Sequence, residues 1–176
     1  MTVETGRSLR DLIDGADERG LAAAGLACLD RCLPLLAPGR AEVLRPVWAA
    51  VARGGGGGWA EAVATARVEL DGAGDGDADA GGVVTMVRTM LDGAPAAWAE
   101  EPLRAWAGQC SSVALAVHRL YDVHEDGPLQ AGELRRQQAV LETVAHGPTG
   151  LRRARELSVE GGRVLRAVVS RRARTA

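Results

Sequence analysis

Leu103, Trp106, Cys110, Val113, Val117, Leu120 and His124 follow one another at steps of 3, 4, 3, 4, 3 and 4. This is the a/d spacing of a helix that buries one face against other helices. Pro102 stands at the mouth of the segment, where a proline suits a first helical turn. The stripe predicts a long central helix from Pro102 to about His124, closed by a histidine at its end.

The rest of the chain obeys the same period. Ser8 is placed to cap a short helix carrying Leu9, Leu12 and Ile13. A helix from about Asp17 to Leu36 is apolar nearly all round, the mark of a buried element, with Pro34 expected to kink it or end it early. Pro46 fits a first turn, so the next helix is expected to begin at Arg45 or Pro46 and run to Arg53. Trp59–Leu70 and Val83–Leu91 give two more, and a short helical turn is expected at 95–100 around Trp98. After the turn at Gly127-Pro128 comes a helix marked by Leu134, Gln138, Leu141 and Ala145. A last one is expected to be capped by Thr149, weakened at Gly161-Gly162 and frayed over 170–176. No segment alternates apolar and polar residues with β-branched enrichment, so no strand is expected. The reading is all-α: one helical-bundle domain over 1–176, with seven to eight helices and antiparallel neighbours. A flexible glycine loop at 54–58 and an acidic loop at 71–82 interrupt it.

Composition narrows the chemistry. The chain has four Trp, one Tyr and no Phe, so a core must come from Leu, Val and Ala. It has no Lys or Asn and one Ile, which with abundant Ala, Gly and Arg points to a high-GC bacterial genome. Without Lys, Schiff-base and P-loop chemistry are excluded. Three cysteines, Cys28, Cys32 and Cys110, make no disulfide framework and suit a reducing cytoplasm. The early acids Glu4, Asp11, Asp14, Asp17 and Glu18 are unlike a signal peptide, and the Leu21–Ala37 run is too polar to span a membrane. A cytoplasmic protein without membrane contact is expected. Charge is uneven: 148–176 holds eight Arg and two Glu, while thirteen Arg face twenty-one acids elsewhere.

Candidate sites are few. Asp75, Asp77 and Asp79 match the first, third and fifth positions of a calcium loop, but Ala80 and Met86 stand where it needs Gly and Glu. His118, Asp122 and Glu125 fall on one helical face and are the metal-ligand candidates; Glu142 and His146 form a similar pair on the next helix. Antiparallel packing offsets the two histidines by ~12 Å, too far for one metal ion. No metal and no cofactor is therefore expected. The same packing sets His146 at the level of Cys110, a candidate dyad, although a seam cysteine is poorly placed for attack. Cys28 and Cys32 read as small core residues. Arg152, Arg153, Arg155, Arg163 and Arg166 are candidate anion or nucleic-acid contacts. They lack interleaved aromatics, and packing against the acidic body is the competing expectation. The reading is a non-catalytic helical interaction or regulatory protein, with a protein partner or self-association. A nucleic-acid-associated protein and a small enzyme or metal-binding bundle are the alternatives.

Overall fold

A computed structural model describes residues 6–54, 56–74, 82–125 and 127–175. Among these are eight α-helices and no strand: α1 (Leu9–Asp14), α2 (Glu18–Leu36), α3 (Arg45–Arg53), α4 (Trp59–Glu69), α5 (Val83–Asp92), α6 (Glu100–Tyr121), α7 (Pro128–Val144) and α8 (Pro148–Thr175). A 3₁₀ turn, Ala41–Leu44, leads into α3. The chain is an all-α bundle. No described helix is long and apolar enough to cross a membrane.

Helix α2 is the axis, packing against α3, α5, α6, α7 and α8. Its apolar circumference explains this: Leu21, Leu26, Leu29, Leu33 and Leu36 are all buried. Asp17 caps it by accepting from the Gly20 amide at 2.9 Å. Pro34 neither ends it nor stops it short of Leu36. Helices α6 and α7 run antiparallel, because Asp122 meets Leu129, His118 meets Glu133 and Ser111 meets Gln137.

The long stripe holds through most of α6. Leu103, Trp106, Cys110 and Val117 are buried, but Leu120 is 49% exposed and the helix stops at Tyr121, leaving His124 exposed in the loop. A straight α-helix drifts ~20° per heptad away from a 3.5-residue stripe. The buried face accordingly moves onto Ser111, Ala114 and His118. Three other expectations are corrected. Residues 96–97 form a bend within an irregular stretch, not a helical turn. Helix α8 starts at Pro148, so Thr149 lies inside it and does not cap it. The tail is helical to Thr175, held by Arg172.

Helix C-termini leave carbonyls without partners, and here arginines supply the donors. Arg19 donates to Ala52 O of α3, Arg40 to Glu69 O of α4, and Arg67 to Leu91 O, Asp92 O and Ala94 O at the end of α5. Arg172 donates to Leu120 O and Tyr121 O of α6, and its guanidinium lies 5.3 Å from the Tyr121 ring centre. One guanidinium reaches two or three carbonyls at once, which suits this all-arginine sequence. The buried tryptophans are also satisfied, Trp59 by Pro95 O at 2.7 Å and Trp106 by Met90 O at 2.9 Å.

Glycine permits the close approaches. A Cβ on Gly25 of α2 would stand 2.6 Å from the Trp106 ring, and one on Gly150 would overlap the Thr143 carbonyl. Gly161 of α8 leaves room for the Arg31 side chain. The glycine loop carries positive φ at Gly54, Gly56 and Gly58, with Gly56 against Trp98. Opposite signs follow for two glycine-to-alanine changes. Gly150→Ala should destabilise by roughly 1–3 kcal/mol, because backbone must move. Gly108→Ala, where a Cβ meets nothing within 4 Å, should stabilise by roughly 0.5–1 kcal/mol. Urea unfolding of both variants measures this.

Candidate functional site

The polar side chains that converge in this protein do so at its centre. Arg31 of α2 and Glu133 of α7 are both 0% exposed and form a two-pronged ion pair, Nε to Oε2 at 2.8 Å and Nη2 to Oε1 at 2.6 Å. Gln137, one turn beyond Glu133, donates to Glu133 Oε1 at 2.8 Å and to Ser111 O at 3.3 Å. Ser111 Oγ in turn donates to Gln137 Oε1 at 2.6 Å. His118, on the same face of α6 two turns later, points Nε2 at Glu133 Oε2 from 3.5 Å. Cys28 lies beneath, 3.5 Å from Arg31 Nη2. Gly161 of α8 closes the fourth side. Four helices thus share one polar junction.

Physical chemistry explains the protonation states. Burial pushes the Glu133 carboxyl up, but the Arg31 guanidinium reverses this and holds it below the ordinary carboxylate value. Burial pulls Arg31 down, and Glu133 more than restores it, so Arg31 stays charged. Burial pushes the His118 imidazole below its usual value, outweighing the attraction of Glu133. Nδ1 of His118 lies 2.7 Å from Ala114 O and must donate there. A neutral His118 therefore turns an unprotonated Nε2 toward Glu133. That atom and Arg31 Nη1 are buried without a hydrogen-bond partner among the described residues.

The thiols are sealed. Burial pushes Cys28 up to about 12 and raises Cys32 and Cys110 well above the ordinary thiol value.

The candidate ligand set does not assemble. His118 faces the core, Asp122 accepts from the Leu129 and Gln130 amides at 2.9 Å each, and Glu125 pairs with Arg119 at 2.9 Å. The shared face is lost because the helix ends at Tyr121, before two of the three residues. Among the described residues no three His, Cys, Asp or Glu side chains are grouped to hold a metal ion. Asp75, Asp77 and Asp79 lie outside the described residues. The Cys110–His146 dyad also fails to form: Cys110 is buried and feels Cys28 and Cys32, while His146 is exposed.

The arginine candidates lie along α8. Arg152, Arg155, Arg163 and Arg166 share one face with Arg174, an arc of about 100° at 100° per residue. None makes an ion pair among the described residues, although Arg155 is close enough to influence Asp30. Arg153 points elsewhere and pairs with Glu156 of its own helix at 3.4 Å. Arg163 and Arg166 line a groove of about 270 Å³ together with Asp30 and Glu42. The expected neutralisation by the acidic body is thus confined to shared space, without direct pairing.

Sequence reasoning passed over Arg31, Glu133 and Gln137. The available signal was an arginine set in a helix apolar nearly all round. No family model matches the chain, and neither curated proteins nor solved structures give a match.

Two outcomes test this junction. Glu133→Gln leaves a buried guanidinium without its counter-ion, and should cost roughly 3–5 kcal/mol in urea unfolding. Because folding lowers the His118 value, the unfolded chain takes up that proton first. Stability should fall as pH drops below about 6.5 and level off once folded His118 is also protonated. His118→Leu should flatten that window in unfolding midpoints measured from pH 8 to pH 5.

Proposed function

We propose that this protein is a non-catalytic helical interaction module that presents the outer face of α8 to an acidic segment of a protein partner. The observation that carries this reading is the arginine stripe, which makes no ion pair among the described residues. Arg152, Arg163, Arg166 and Arg174 are exposed and Arg155 is half-buried; over 22 residues at ~1.5 Å each the stripe runs about 33 Å. Val159, 46% exposed, sits in its middle. A rigid helix holding cations around an apolar contact is matched by an amphipathic acidic helix, which supplies carboxylates on either side of apolar residues. The sealed junction supports the reading too, since Arg31 and Glu133 are 0% exposed and their charges serve the packing of four helices.

Nucleic acid is the second reading, favoured by the same stripe because phosphates would also meet it. The absence of aromatic residues from this face argues against stacking on single strands.

Fluorescence anisotropy of the full chain with labelled poly-L-glutamate and with a labelled duplex of about 20 base pairs separates these readings. The proposal expects poly-L-glutamate to bind at low salt and to weaken as salt rises. Reversing two charges, Arg163→Glu with Arg166→Glu, should weaken binding at least about tenfold while leaving the helical circular dichroism unchanged. Binding of the duplex alone would transfer the function to nucleic acid. Binding of neither would end both readings.

A further inference from the structure

A second feature of α8 lies on a different face from the arginine stripe and is independent of it. The last two turns of α8, the end of α6, residues 122–125 and the first turn of α7 border an open cleft of about 880 Å³. This lies within the range of small-molecule sites, ~300–1,000 Å³. Most of its wall surface is apolar, from Val123, Pro128, Leu129, Val168 and the Tyr121 ring, with His124 and Thr175 beside them. Val123 is 82% exposed, an aliphatic side chain left to water at the cleft edge.

The charges around the cleft are unequally engaged. Among the described residues both carboxylates that line it are occupied, Asp122 by two amides of α7 and Glu125 by Arg119. Asp122 also fills the N-terminus of α7, where an anion would otherwise sit on free amides. Arg172 is held by the α6 carbonyls and Tyr121. Arg171, one residue earlier, lines the cleft and has no side-chain partner among the described residues. Apolar walls with a free guanidinium at the rim complement a ligand with an apolar body and one anionic head.

We propose that this cleft binds a small amphipathic carboxylate, its hydrocarbon part between Val123, Leu129 and Val168 and its carboxylate on Arg171. The helical walls of the cleft are tied together before the ligand arrives, Arg172 joining α8 to α6 and Asp122 joining the end of α6 to α7.

The test titrates the full chain with decanoate and with 1-decanol, which share a chain length and differ in the head group. Calorimetry should give saturable one-to-one binding of decanoate, at least about tenfold tighter than decanol, one charged hydrogen-bonded pair. Arg171→Ala should remove most of that preference and leave decanol unchanged. Val168→Asp should weaken both ligands, and amide shifts should centre on Val123, Leu129 and Val168. Equal binding of the two ligands, no saturable binding, or shifts centred elsewhere would overturn the proposal. So would sedimentation showing a dimer that Val168→Asp breaks and decanoate does not, since a second copy would then cover the cleft.

Discussion

The Arg31–Glu133 pair is the interaction on which the rest of this structure depends. Removing two charges from water costs several kcal/mol per ion, and the attraction between them offsets this only when the geometry is close and other polar atoms are satisfied. Both conditions hold to a large degree. The pair is two-pronged, Gln137 donates to the carboxylate, and Gln137 is itself fixed by Ser111. The arrangement requires α2, α6 and α7 at one register, with a glycine of α8 over the arginine stem. A one-residue rotation of α2 or α7 would bury a charge without a partner, and one of α6 would take Ser111 away from Gln137. An all-leucine contact would penalise such a slip far less, so the pair selects one packing from many that a leucine- and alanine-rich core would allow.

This selectivity matters because the core offers little shape of its own. There is no Phe, and small residues such as Ala22, Ala23, Ala27, Ala107 and Ala114 fill the helix contacts. Such faces slide over one another more readily than aromatic ones. The chain fixes them in two further ways. Trp106 and Trp59 lock in an edge-to-face contact with centres 5.8 Å apart, and Gly25 gives the Trp106 ring its place against α2. Arginines from one helix satisfy the carbonyl ends of another, joining termini that would otherwise fray.

Much of the fold could be read from the chain before its structure. Hydrophobic period, the Ser8 cap and the glycine and proline breaks located the helices, since each is a local signal. The junction was harder, because its ion pair joins residues 102 apart along the chain and Ser111 meets Gln137 across 26. His118 illustrates the limit. Its spacing to Asp122 and Glu125 suggested a solvent-facing triad, yet the inward drift of a straight helix and its end at Tyr121 separated all three. Leu120 and His124 left the stripe for the same reason. Arg31 was visible as a charge in an apolar helix, but nothing local identified Glu133 as its partner. The arginine stripe of α8 shows the reverse case. Its charge was plain in the sequence, while its freedom from ion pairs belongs to the folded arrangement.

The central claim is that Arg31 and Glu133 act as one unit that sets helix register. A double-mutant cycle on stability, with Arg31→Met, Glu133→Met and the combined variant, tests it most directly. The account predicts that each single change destabilises strongly and that the combined variant recovers most of the loss, a coupling of roughly 2–4 kcal/mol. The combined variant should also broaden side-chain resonances as the register loosens. Additive losses with no coupling would contradict the account, and would reduce the pair to two unrelated buried residues.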